Sequence, residues 1–261
     1  MKPKKSLGQN FLRSDEILSK IVNVGNINYN DTILEIGPGT GNLTKKILDK
    51  KPNLLIVVEK DEILSEKLKE RFGNKITVIN KDILNCYQEF KFEIPIKVFG
   101  NLPYNVSTKI LTNFVKIKNI SKIYQKFIFI YQKEVADRII AKENSKYYGR
   151  LSILTSWRMD NEKILDIDPK YFYPRPKVWS SLIVHTPKIK FDKLHKPNHL
   201  EHITNIFFNQ RRKMIKKPIN IVFRKFQFNY KKFNIRPSDR PQNIDVNKYL
   251  EIVNEYENLG S

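Results

Sequence analysis

Thr32-Ile33-Leu34-Glu35-Ile36-Gly37-Pro38-Gly39-Thr40-Gly41 is the stretch whose reading decides the fold. The first five residues, rich in β-branched side chains, suit a buried strand, and they run directly into a glycine turn. A helix carrying Leu43, Ile47 and Leu48 follows. Strand, glycine turn and helix N-terminus together form a ligand-binding unit, because free backbone N–H groups converge there. The spacing discriminates further. A dinucleotide fingerprint places its third glycine at position 42, where this chain has Asn42, so Gly37, Gly39 and Gly41 fit G-x-G-x-G instead.

Moving outward, Leu54-Leu55-Ile56-Val57-Val58 reads as the next strand and ends in Glu59, where a carboxylate can accept bonds from both hydroxyls of a ribose. Ile76-Thr77-Val78-Ile79 leads to Asp82, placed to receive an adenine amino group, and Ile83 adds a backbone N–H and an apolar wall. Each acid alone reads as a solvated loop charge. Three successive strand ends bearing GxGxG, Glu and Asp are much harder to produce by chance.

A fourth strand, Ile96-Lys97-Val98-Phe99, runs to Asn101-Leu102-Pro103-Tyr104. The Asn101 side-chain oxygen can accept one hydrogen bond from an exocyclic amine and the backbone carbonyl beside Pro103 a second, while Tyr104 stacks on the ring. Two such bonds draw the amine lone pair out of conjugation and make it able to attack an electrophilic methyl. Taken alone, the four residues equally fit an Asn-Pro type turn. Beyond them, Ser107 or Thr108 can cap a helix holding Ile110, Leu111, Phe114 and Val115. Phe127-Ile128-Phe129-Ile130-Tyr131 is a fifth strand, with a helix from about Lys133 to Ala141 after it. Ser145 to Arg150 is a polar loop before another apolar helix. Tyr171 to Val178 offers aromatics held by the two prolines that follow them, Pro174 and Pro176, and Ser181-Leu182-Ile183-Val184 closes the sheet. Phe172 there fits either the second face of a base sandwich or the core.

The chain of 261 residues, 40% hydrophobic, accommodates one large α/β domain and a small appendage. No run of 18 apolar residues occurs and Met1-Lys2-Pro3-Lys4-Lys5 lacks a secretory h-region, so neither a membrane span nor export is expected. A single Cys86 forms no internal disulfide, which agrees with the cytoplasm. The net charge of +21 points to a polyanion, most often nucleic acid. Residues 186–261 carry 16 basic and 7 acidic side chains, a denser excess than the rest. Nine cations, among them Arg211, Arg212, Lys213, Lys216, Lys217 and Lys225, lie between Phe208 and Lys232 without one acid. With Phe207, Phe208, Phe223 and Phe226 interleaved, the run reads as a surface that tracks phosphates rather than a merely solvated face. At the other terminus, Gln9 and Asn10 beside Phe11 and Leu12 suit either a lead-in or a segment closing over a small ligand.

With these residues assembled, the chain resembles the KsgA family of ribosomal RNA adenine dimethyltransferases. The resemblance is carried by Ser6 to Leu12, Gly37 to Gly41, Glu59, Asp82, Asn101 to Tyr104, Tyr147 to Ser152, Phe172-x-Pro174-x-Pro176-x-Val178 and Asn209 to Lys213. It implies a Rossmann-like class I methyltransferase sheet using S-adenosylmethionine, over residues 1–186, and a small all-α RNA-contacting domain over 187–261. It implies a cofactor site lined by Asn10, Leu12, Gly37, Glu59, Asp82 and Asn101, to which Gln9, Gly39, Gly41 and Ile83 are added from their positions. Asn101 to Tyr104 and Phe172 would hold the target adenine. The implied reaction is N6,N6-dimethylation of two adjacent adenosines near the 3′ end of small-subunit rRNA, by a cytoplasmic protein that is monomeric off the immature subunit and needs no metal. Trp179, where an Asp is usual, and Met214, in place of a small hydroxyl residue, depart from the pattern. Rivals are the macrolide-resistance type of large-subunit rRNA methyltransferase, a DNA adenine methyltransferase, and a non-catalytic RNA-binding assembly factor. The glycine spacing argues against a dinucleotide-dependent oxidoreductase.

Overall fold

Near-continuous apolar strands require a sheet covered on both faces, and the chain builds such a sheet. The computed structural model describes residues 3–259 apart from 5, 6, 91 and 225; Met1, Lys2, Lys5, Ser6 and Lys225, all used in reading the sequence, lie outside the described residues. The chain forms β1 (Phe11–Leu12), α1 (Asp15–Val24), β2 (Thr32–Ile36), α2 (Asn42–Leu48), β3 (Leu54–Val58), α3 (Glu62–Phe72), β4 (Thr77–Ile79) and α4 (Ile83–Cys86). It continues with β5 (Ile96–Asn101), α5 (Ser107–Val115), α6 (Ile120–Ile123), β6 (Tyr124–Gln132), α7 (Lys133–Ile139), α8 (Arg150–Arg158), β7 (Met159–Ile167), β8 (Phe172–Tyr173) and β9 (Ser180–Pro187). The last helices are α9 (Pro197–Phe208), α10 (Lys216–Val222) and α11 (Val246–Asn258).

Two compact units result, one of residues up to Ala136 with Asn161–Pro187, the other of Asp137–Asp160 with the chain from Lys188 onward. The first holds a seven-stranded sheet in the order β4-β3-β2-β5-β6-β9-β7. Strands β4 to β6 in that order run parallel; Leu34 faces Ile56 on one side and Val98 on the other. β9 is antiparallel to β6, with Ser180 opposite Gln132. The chain winds outward from β2 through β3 to β4, then returns to β5 on the other side of β2. That reversal opens a crevice between the carboxyl ends of β2 and β5, where doubly wound folds bind ligands. Ile33, Val57, Phe99 and Ile128 fill the core between sheet and helices. Lys97, a cation inside buried β5, is 4% exposed and satisfied by Asp31 Oδ2 at 2.6 Å and the Asn26 carbonyl at 2.7 Å.

The second unit is helical. α8 packs on α9 and α11, burying Leu151, Trp157, Phe207 and Tyr249, and the Tyr148 and Tyr249 hydroxyls donate to the carbonyls of Ile244 and Pro241. Its make-up differs from a single cut after residue 186, because the apolar face of α8 belongs with the C-terminal helices. Two further readings change. β7 escapes sequence analysis because Asp160, Asn161, Glu162 and Lys163 mask its strand character. Neither Ser107 nor Thr108 caps α5: Val106 is its N-cap, and the Ser107 hydroxyl instead donates to the Tyr104 carbonyl. No helix among the described residues is long and apolar enough to cross a membrane.

Candidate active site

At the crevice, one cleft is lined by Gly37 and Gly39 after β2, Glu59 after β3, Asp82 and Ile83 after β4, and Asn101 to Tyr104 after β5. Gln9, Asn10 and Leu12 line it too, so the N-terminal segment is a wall rather than a lead-in. The sheet explains the convergence: parallel neighbours end on the same edge, and each functional residue ends its strand or follows it within a few residues.

Both glycines facing the cleft adopt the left-handed region, with φ of 65° at Gly37 and 58° at Gly39. A Cβ at Gly37 would meet nothing within 4 Å, whereas one at Gly39 would come within 2.8 Å of the Phe11 ring, which stands over the turn. Gly41, expected among the cofactor contacts, does not line the cleft. It is the N-cap of α2, and a Cβ there would strike Phe72 at 2.7 Å, so its glycine serves helix packing.

Glu59 is 6% exposed. Its Oε2 accepts the Gly39 N–H at 3.1 Å and its Oε1 the Asp61 N–H at 2.9 Å, which ties the glycine turn to the end of β3. Burial raises its pKa against the opposing pull of these backbone bonds. Asp82 caps α4 through the Leu84 N–H and pairs with Lys60 at 2.9 Å. Partial burial pushes its pKa up, but the Lys60 bond and the Leu84 N–H outweigh that and lower it, so Asp82 stays an acceptor. Asp61, unnoticed in the sequence, receives Lys4 Nζ at 3.0 Å and Gln9 Nε2 at 3.1 Å and thereby fastens the N-terminal wall to the β3 end. Glu35, inside β2, was equally hidden: burial pushes its carboxyl up to about 8, while the Thr44 hydroxyl donates to it at 2.7 Å and opposes the shift.

The Asn101 Nδ2 donates to the Asn10 carbonyl at 2.7 Å, which leaves Oδ1 pointing away from that carbonyl. The Pro103 carbonyl accepts the Val106 and Ser107 N–H groups, so of the two carbonyls at this turn that of Leu102 is the one left for a ligand. Leu102 itself is buried beneath, against Gly100. Tyr104 is held by its hydroxyl, 2.5 Å from Ser180 Oγ. Phe172 is a correction: its side chain is 4% exposed in the core, paired through the short β1–β8 ladder with Leu12, and it does not line the cleft. The flanking prolines present Tyr173 outward instead.

In the second unit, Arg212, Lys213, Lys216 and Lys217 are exposed. Arg211 is partly withdrawn, donating to Gln242 Oε1 at 3.1 Å and to the Ser145 carbonyl at 3.2 Å. The interleaved aromatics are corrected as well: Phe207 and Phe223 are core residues, and Phe226 alone of the four is freely exposed.

Apolar walls at Ile36, Val58 and Ile83, acids at Glu59 and Asp82, and a glycine floor fit a cationic nucleoside with an amphipathic body. A parallel sheet carrying this set at consecutive strand ends defines a class I methyltransferase that uses S-adenosylmethionine. Comparison with known proteins narrows the class. Residues 1–258 match the family model of ribosomal RNA adenine dimethylase. The chain is 51% identical to ribosomal RNA small subunit methyltransferase A of Pelagibacter ubique, across 99% of this chain and 98% of that protein. It is 39% identical to the protein of that name from Wolbachia sp. subsp. Brugia malayi, across 97% of each. A dimethyladenosine transferase structure from Plasmodium falciparum shares the fold with a TM-score of 0.78 at 24% identity, covering 96% of this chain and 98% of that one. The 23S rRNA methyltransferase ErmE shares it at 0.67 and 21% identity, covering 96% and 100%. The chain therefore belongs to the ribosomal RNA adenine dimethylase family and is a methyltransferase of rRNA adenine.

Proposed function

We propose that this protein dimethylates N6 of two adjacent adenosines near the 3′ end of small-subunit rRNA, acting on the immature small subunit in the cytoplasm and as a monomer when off it. The observation that carries the reading is the Asn101 amide, aimed into the cleft shared by the glycine turn, Glu59 and Asp82.

S-adenosylmethionine supplies an already electrophilic methyl on its sulfonium. Glu59 and Asp82 are placed to take the ribose hydroxyls and the adenine amino group, and the N-terminal wall closes over them. In the first transfer Asn101 Oδ1 and the Leu102 carbonyl accept the two N–H bonds of the target amine and aim its lone pair across the cleft; in the second, one of them accepts the single N–H that remains, and each methyl gained by N6 from the sulfonium is matched by one proton released from N6. The Tyr104 ring, fixed through Ser180, offers one stacking face. The side chains need only position and polarise. Because the target atom belongs to a base, the nucleotide must be unstacked into the pocket, at a cost of a few kcal/mol that falls in a loop. Arg212, Lys213, Lys216 and Lys217 on the second unit, with Arg211 behind them, supply phosphate contacts that dock the subunit.

Labelled methyl incorporation from S-adenosylmethionine into undermethylated small subunits, large-subunit rRNA and DNA decides the matter. Dimethyladenosine in small-subunit rRNA alone is expected. Modification of either other substrate instead, or binding without transfer, would overturn the proposal.

A further inference from the structure

The segment joining β8 to β9 turns its large side chains outward. Tyr173, Val178 and Trp179 are 44%, 44% and 48% exposed, and Arg175 and Lys177 between them are exposed too. Three large apolar side chains left open within seven residues run against ordinary burial. Their place in the fold is specific. The Trp179 carbonyl accepts the Lys133 N–H at 2.8 Å, and the next residue, Ser180, opens β9 opposite Gln132 at the end of β6. Because β6 runs parallel to β5, Trp179 stands at the sheet edge where Asn101 emerges. Ser180 is fully buried and its Oγ holds the Tyr104 hydroxyl, so the exposed indole directly precedes in the chain the group that fixes the base-stacking tyrosine. At the start of the segment the Arg13 guanidinium lies 4.0 Å over the Tyr173 ring, and Arg13 follows Leu12 of the cleft wall.

Residues 173–179 contain no acid, and three cations, Arg13, Arg175 and Lys177, accompany the aromatics. Open aromatic faces beside unopposed positive charge match an unpaired nucleic-acid strand, which offers planar bases and a phosphate for each. Continuity with the cleft says which part of the strand. Resting on the proposed rRNA reading, we infer that Trp179 stacks on an unpaired nucleotide flanking the target adenosine, with Arg175 and Lys177 taking the adjoining phosphates. Trp179 is a positioning residue: it holds the neighbouring base outside, so that the strand is already splayed where the target turns in towards Tyr104.

Two measurements on the full-length protein test this. In methyl transfer to undermethylated small subunits, Trp179→Ala should raise KM about tenfold and change kcat less than twofold, with S-adenosylmethionine affinity as in the wild type and Trp179→Phe restoring most of the loss. Independently, emission should be quenched on titrating an unpaired adenosine-rich oligoribonucleotide, and that quench should vanish in Trp179→Phe, where the buried Trp157 remains as an internal reference. An unchanged KM in Trp179→Ala, no quench in the wild type, or a quench that persists in Trp179→Phe would overturn the inference. Were the wild type to methylate no small-subunit RNA, the rRNA reading would fail while the quench still reported whether the indole binds a base.

Discussion

The cleft in the first unit and the basic surface in the second use polar groups in opposite ways. In the cleft, Glu59 is almost wholly buried with both oxygens engaged by main-chain N–H groups, and Asn101 is oriented by a single main-chain carbonyl. On the basic surface, Arg212, Lys213, Lys216 and Lys217 are exposed, while Phe207 and Phe223 of the same unit are buried in its core. The first arrangement selects by direction, the second by field, and only the first is sensitive to a displaced atom.

The contrast breaks most sharply at Asn101. Asn101→Ala should lower kcat about 10³-fold, roughly 4 kcal/mol, while leaving S-adenosylmethionine binding within a few-fold, as read by single-turnover transfer and calorimetry. Near-normal turnover would mean that direction is not what the cleft provides. In the second unit the aromatics should behave as core rather than as stacking platforms. Phe207→Ala should cost about 3 kcal/mol in denaturant unfolding, against less than about 0.5 for the exposed Phe226→Ala. Replacing Arg212, Lys213, Lys216 and Lys217 together by alanine should raise KM for small subunits about 10²-fold at physiological salt, and flatten the salt dependence of binding without touching cofactor affinity. A loss independent of salt would assign those side chains a directional role and erase the distinction.

The smallest effect concerns Glu35. Its folded pKa of about 8 lies above the ordinary 4.5, so the folded state holds a proton that the unfolded chain releases. That contribution is complete below pH 4.5 and is lost as pH rises through 8. Glu35→Gln keeps an acceptor for Thr44 but cannot ionise. Relative to the wild type its Tm should therefore climb between about pH 5 and 8, by a few degrees. Parallel Tm curves for the two proteins would place the titration elsewhere.

What could be read from the sequence follows the same division. Strand ends are legible because a short β-branched run terminates visibly, and whatever follows it in a parallel sheet is delivered to one edge. Gly37, Glu59, Asp82 and Asn101 were all found in this way. Glu35 was missed because a lone carboxyl within a strand reads as an outward residue, although β2 is buried along its whole length. Asp61 was missed because its partners, Lys4 and Gln9, are more than fifty residues away. The β1–β8 ladder has two residues per strand, too few for any periodicity, and without it the swap of Phe172 inward and Tyr173 outward cannot be seen. Phe207 and Phe226 are indistinguishable as neighbours of a charge run, since burial in a small helical unit is decided by α8, a segment some fifty residues upstream.

An amide looks nearly the same from either end, yet its ends have opposite chemistry, and a free asparagine at position 101 would be as ready to offer hydrogens as to receive them. The carbonyl of Asn10 settles the choice by claiming the NH2. That one main-chain carbonyl therefore acts as a polarity selector for a side chain 91 positions away, and it leaves the acceptor end of the amide as the one free to meet a substrate.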